Sequence, residues 1–138
     1  MRSLFVTVLL VLVSRAGFGA DKNPARRTSI FLGDLSNFQL RELTTWMPRP
    51  EYPDAVRQKR LSGRGFFRLY VQVRTGVVAR VEVASSTGSP ILDHLAVDTF
   101  MRWRFKPPIV RQYQRLHDPN DSSEELVFVA PIAYTAPN

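Results

Sequence analysis

The chain has 138 residues, 44% of them hydrophobic, which is enough apolar material for one modest core and would starve two. It contains no cysteine, so a disulfide framework, a cysteine-based metal site and thiol catalysis are excluded. The formal charge is +7, and arginine supplies 16 of the 19 basic residues, which favours planar hydrogen bonding to carboxylate or phosphate over diffuse attraction.

Residues 4–13 are apolar apart from Thr7, follow Arg2, and give way to small residues at Gly17, Gly19 and Ala20. That is the order of a secretory signal: a basic start, a short apolar middle and a small-residue exit. A bilayer-spanning helix needs about 20 predominantly apolar residues, and Ser14-Arg15 interrupts this run early. The expectation is a signal peptide over residues 1–20, cut near Gly19 or Ala20, with a retained short anchor as the alternative. Membrane contact follows only if that segment is retained. Removal of Arg2 and Arg15 leaves +5 (17 basic minus 12 acidic residues). In an exported chain such a charge meets anionic envelope surfaces or acidic partner segments, not nucleic acid. A solvated basic surface is the plainer alternative.

Residues 21–47 hold Asn23-Pro24, Arg26-Arg27 and Gly33-Asp34 among scattered apolar residues, and Pro48-Arg49-Pro50 follows; this stretch is assigned to a linker. Leu35, Phe38 and Leu43 predict one short helix in it, from about Ser36 to Thr44. The remainder, 48–138, is assigned to a single domain. Pro53 and Asp54 start a short basic helix that Ser62-Gly63 ends. Phe67, Leu69, Val71 and Val73 then alternate with Arg68, Tyr70, Gln72 and Arg74, the period of a strand with one buried face. Arg74-Thr75-Gly76 turns the chain into a second strand, Val77 to Ser85, with Val81 and Val83 inward and Arg80 and Glu82 outward.

Ser89-Pro90 is a helix start, because a serine oxygen can accept from free backbone N–H groups and proline at the first helical position forfeits no hydrogen bond. Leu92, Leu95, Ala96, Thr99 and Trp103 form its apolar stripe. Pro107-Pro108 is read as the stop. Residues 111–125 are polar and predict an exposed loop, with Asp118-Pro119-Asn120-Asp121-Ser122-Ser123 as its tip. The last strand runs from Leu126 to Tyr134, with Leu126, Phe128, Ala130, Ile132 and Tyr134 on one face. Pro131 has no N–H to donate, which places this strand at a sheet edge, open to another chain.

Chemistry-bearing patterns are sparse. His94 beside Asp93 and Asp98 lacks the third and fourth ligands of a zinc site. Gly63-x-Gly65 precedes a strand, so it lacks the helix N-terminus that a phosphate cradle uses. Ser85-Ser86 has no histidine placed to activate it. Trp103 and Phe105 at a helix exit read as core packing, and Tyr52 likewise. No enzyme, metal or cofactor is expected.

The order of these pieces carries more than any one of them. Tyr52-Pro53, Gly63 and Gly65, Ser86-Thr87-Gly88, Leu92-Asp93, Trp103-Arg104-Phe105-Lys106-Pro107 and Ala130-Pro131-Ile132-Ala133-Tyr134 together resemble the C-terminal domain of the TonB family. The resemblance covers about Pro48 to Pro137. It implies an α+β fold: a three-stranded antiparallel sheet with two helices on one face, in the order helix, strand, strand, helix, strand. It also implies a periplasmic location and a last strand at the sheet edge that accepts a short segment of a TonB-dependent outer-membrane receptor, or of another envelope protein, in support of energy-coupled uptake. Carried over, the partner-binding residues are Leu126, Val127, Phe128, Val129, Ala130, Pro131, Ile132, Ala133 and Tyr134. Apart from the resemblance, the charges of arginines such as Arg68, Arg74 and Arg80 are expected to tune partner choice. The alternative is a self-associating homodimeric module of an envelope complex without a transport role.

Overall fold

A computed structural model describes residues 29–138, so the signal segment and the start of the assigned linker lie outside the described residues. Two strands form the middle of the molecule. β3 (Gly63–Gln72) and β6 (Glu125–Tyr134) pair antiparallel in an unbroken register from Gly63 opposite Tyr134 to Gln72 opposite Glu125. The alternation of their side chains sets the layers. Phe67, Leu69 and Val71 from β3 and Leu126, Phe128, Ala130, Ile132 and Tyr134 from β6 all enter one core, as the pattern of each strand predicts.

Helices cover that inward face. α1 (Asn37–Leu43) begins at a capping box in which Ser36 and Gln39 bond reciprocally, and it buries Leu43. α2 (Asp54–Gln58) follows Pro53 and buries Val56. α3 (Pro90–Met101) is capped by Ser89 Oγ, which accepts from the Leu92 N–H, and it buries Leu92, Ala96, Thr99 and Phe100. α4 (Pro107–His117) buries Val110 and Gln114. A ring-to-ring path runs through this layer: Phe67 to Phe100, Phe100 to Trp103, Trp103 to Phe105, and Phe105 stacked on Phe128 at 4.9 Å. Phe105 is therefore core, and Trp103 is half-buried against it.

α4 corrects the predicted loop over 111–125. The preceding helix stops at Met101, ahead of the prolines, and Pro107 instead opens a new helix, the position at which its missing N–H forfeits nothing. The turn chemistry holds further on, where Asp118 Oδ1 accepts from the Asn120 N–H and Asp121 Oδ1 from the Ser123 N–H.

The α+β class is as expected, and the sheet is larger. β1 (Ser29–Phe31) adds a fourth strand, and β4 (Val78–Ser85) lies on the far side, giving the order β1-β6-β3-β4. β1 runs parallel to β6 and the other pairs are antiparallel. A separate two-stranded ribbon joins β2 (Thr44–Trp46) to β5 (Arg104–Phe105). Much of the stretch assigned to a linker thus carries structure: β1, a 3-10 turn at Leu32–Asp34, α1 and β2. The helix predicted there matches α1 within a residue at each end.

Two inward-outward assignments in the hairpin need correction. Tyr70 alternates as an exposed residue but is only 5% exposed, because the Arg80 guanidinium lies 3.7 Å from its ring centroid and its hydroxyl donates to Glu82 at 2.9 Å. Val83, expected inside, is 46% exposed. It stands on the outermost strand, beside a register shift between Phe66 and Phe67 that bends this edge.

Gly63 and Gly65 are needed for a close approach. A methyl group on Gly63 would lie 2.1 Å from the Thr87 carbonyl oxygen, and one on Gly65 would lie 2.6 Å from that of Ser85. Both contacts are with backbone, which cannot swing aside. Gly63→Ala is therefore expected to lower stability by about 1–3 kcal/mol, the usual range for overpacking, read as an earlier urea midpoint with an unchanged slope.

Candidate functional site

The candidate site is the outer side of β6, and its geometry differs from an open edge. β1 lies along it, with Ser29 opposite Val127, Ile30 opposite Phe128 and Phe31 opposite Val129. The last strand is an inner strand over those three residues, which corrects the expectation of an edge along its whole length. Periodicity cannot reveal such a strand, because three residues are too few to show a period. From Ala130 to Tyr134, β6 has a strand partner on one side alone among the described residues, namely β3. The 3-10 turn passes close to the start of this stretch: a methyl on Gly33 would lie 3.3 Å from Pro131 Cγ.

The nine predicted contact residues divide by face. Leu126, Phe128, Ala130, Ile132 and Tyr134 are buried in the core, so a partner would meet only their backbone. Val127 is buried on the opposite face, in register with Tyr70. Val129 is half-buried there, while Pro131 and Ala133 are exposed. Phe66, opposite Pro131, is 43% exposed and meets Phe31, 37% exposed, at 5.9 Å between ring centroids. With Arg64, opposite Ala133 and exposed, they form an apolar patch with a basic rim. Neither Phe31 nor Phe66 was singled out from the sequence as a surface residue. Phe66 was legible, since it directly precedes Phe67 in an alternating strand and so must face the other way.

Arg68 and Arg80 are engaged within the sheet, both approaching Glu82, at 3.5 and 3.6 Å. Arg74 is exposed at the hairpin turn. His94 is also exposed and pairs with Asp98 at 3.4 Å. Among the described residues no three His, Cys, Asp or Glu side chains converge as metal ligands.

The remaining motif residues act as clamps. Tyr52 donates its hydroxyl to the Leu61 carbonyl at 2.6 Å, closing the loop around α2. Trp103 Nε1 donates to the Pro48 carbonyl at 3.1 Å, tying the chain before α2 to the end of α3. Asp93 accepts from Ser86 Oγ, from the Thr87 N–H at 2.8 Å and from Thr87 Oγ1 at 2.6 Å. It thereby locks the Ser86-Thr87-Gly88 turn to the first turn of α3.

A Tyr-Pro before a short helix, paired glycines under a Ser-Thr-Gly turn, and a Trp-x-Phe-x-Pro helix exit are thus joined in one set of contacts. The model of the family described as "Gram-negative bacterial TonB protein C-terminal" matches residues 48–117. The chain belongs to the TonB C-terminal family. No curated protein matches it. Among solved structures it is similar to the solution NMR structure of the Pseudomonas aeruginosa TonB C-terminal domain, at 16% identity and a TM-score of 0.48, covering 83% of this chain and 96% of that one. TonB C-terminal domains are periplasmic, non-enzymatic protein-interaction domains, and the family interacts with outer-membrane receptors. Among the described residues no helix is long and apolar enough to cross a membrane.

Two ionisable groups in this TonB domain report on its stability. Desolvation pushes the Asp93 carboxyl upward, but its hydrogen bonds from Ser86 and Thr87 outweigh this and hold it below the ordinary value of 3.8. A carboxyl depressed by folding stabilises the native state above its unfolded value, and the effect disappears as pH falls through the lower folded value. Asp93→Asn is expected to cost about 1–3 kcal/mol at neutral pH and to flatten the loss of stability below about pH 4, both measurable as urea midpoints across pH.

Tyr134 behaves oppositely. Burial, and then the negative charge of Asp93, push its hydroxyl up to about 12. That hydroxyl is buried without a hydrogen-bond partner among the described residues. Tyr134→Phe is expected to raise stability by about 1 kcal/mol at pH 7, since it removes an unsatisfied polar group. It should also abolish that part of the alkaline loss which sets in as pH rises from the unfolded value near 10 through the folded one.

Proposed function

We propose that this chain is a periplasmic TonB-like binding module that takes an extended segment of an outer-membrane receptor, or of another envelope protein, onto β6 by strand addition, in support of energy-coupled uptake. The observation that carries this is the end of β1 pairing at Val129, beyond which Ala130–Tyr134 has a strand on one side alone among the described residues. Backbone pairing there would supply affinity, and exposed Pro131 and Ala133, with Arg64 beside them, would bias the choice of segment. The net positive charge favours acidic segments.

A second reading, self-association, is favoured by a different observation. β4 is the outermost strand for eight residues, with no partner on its far side among the described residues. The register shifts at both ends of its pairing with β3 and the charges of Arg80 and Glu82 work against docking of a second copy. For that reason the binding module is preferred, and sedimentation over a concentration series is expected to show a monomer.

The direct test uses synthetic receptor segments in two forms, unmodified and N-methylated at alternate residues. Methylation removes backbone donors while leaving every side chain in place. Loss of two hydrogen bonds at roughly 0.5–1.5 kcal/mol each should weaken binding about tenfold. Equal affinity of the two forms would count against strand addition.

A further inference from the structure

β1 occupies the place that an incoming strand would take along the first half of β6. We propose that Ser29–Leu32 is an internal occupant of the recognition edge, and that a partner segment reaches the full length of β6 only by displacing it. This inference rests on strand addition at β6 and adds to it a built-in competitor and a rule for the visitor's composition.

β1 has the shortest ladder of the sheet. It pairs over three residues and in the parallel sense, which is slightly weaker per residue than the antiparallel pairing that holds β3 to β6 over ten. Side chains supply the rest of its hold. Ile30 and Leu32 are 5% and 3% exposed and enter the core, while Phe31 points to the other face and rests on Phe66. Nothing in this set depends on β1 belonging to the same chain. An extended segment with an aliphatic residue opposite Phe128 and a bulky apolar residue opposite Val129 would make the same contacts, and Ser29-Ile30-Phe31 is itself a template for such a visitor.

The geometry also gives the exchange a starting point. After Phe31 the chain leaves the edge through the 3-10 turn beside Pro131, so the edge clears only towards Ile132–Tyr134. A visitor can pair there while β1 is still in place and then advance along β6 as β1 retreats. Until β1 leaves, the apparent affinity is lowered by the fraction of molecules with a free edge.

The test uses the full chain and one probe, a fluorescently labelled peptide of the chain's own residues 27–34, followed by anisotropy. Two variants shift the occupancy of the edge in opposite directions. Ile30→Ser weakens β1. Ser29→Cys combined with Val127→Cys fastens it, since register partners on neighbouring strands lie within reach of a disulfide and the chain has no cysteine of its own. If one molecule in about ten has a free edge, Ile30→Ser should bind the probe up to about tenfold more tightly than the parent. The oxidised double-cysteine variant should bind it far more weakly than the parent, and reduction should restore parental binding. The oxidised and reduced comparison stands even if Ile30→Ser unfolds. Equal probe binding before and after reduction overturns the proposal, and so does failure of every form to bind. Strand addition itself is judged apart from this by the N-methylated receptor segments. If those discriminate and bind the oxidised and reduced forms equally, β1 is a permanent strand and strand addition remains.

Discussion

Ten residues of β3 lie antiparallel against ten of β6, and every other element is placed by reference to that ladder. One side of it is apolar along its length, so the helices must gather there. Their stripes deliver Leu43, Leu92, Ala96, Phe100 and Val110 to a single core with the inward residues of the two strands. The order of β3 and β6 in the chain also fixes what lies between them. β4, α3, β5 and α4 are all inserted into the span that separates the two halves of the central pair, so these insertions are tethered at both ends to the same rigid unit. The smaller ribbon is joined to it as well, through the Phe105 N–H, which donates to the Gly76 carbonyl in the turn after β3 at 2.8 Å.

The residues that make the family recognisable are the ones that hold this frame, not ones that face a partner. Tyr52, Gly63, Gly65, Thr87, Asp93 and Trp103 each satisfy a backbone group or permit two backbones to touch. Such contacts tolerate few substitutions because the partner is main chain, which has one position and one polarity. A signature of this kind specifies architecture strongly and specificity weakly. Exposed side chains such as Phe31, Phe66 and Arg64 have no comparable constraint, and in the proposed binding mode the choice of partner would rest with them.

How much of this was legible from the residues follows from the same physics. β3 and β6 were readable because each has one wet and one dry face, and alternation is the imprint of that asymmetry. α1 was readable from three apolar residues and a change of composition at its end. α4 was not, because Pro107-Pro108 signals both a helix stop and a helix start, and its polar surface hides a stripe carried chiefly by Val110 and Gln114. Tyr70 looked exposed because alternation says which face a residue takes and nothing about the arginine that covers it there. β1 left no trace: its identity as a strand comes entirely from β6, a neighbour almost a hundred residues later in the chain.

That parallel pairing has a mechanical meaning. A pull on the chain from its N-terminal side reaches the sheet at Ser29 and is carried first by three ladder pairs and by the seating of Ile30 and Leu32. Those three pairs are the smallest set in the sheet, and the ten-residue ladder does not include them, so release of β1 would leave the central pair whole.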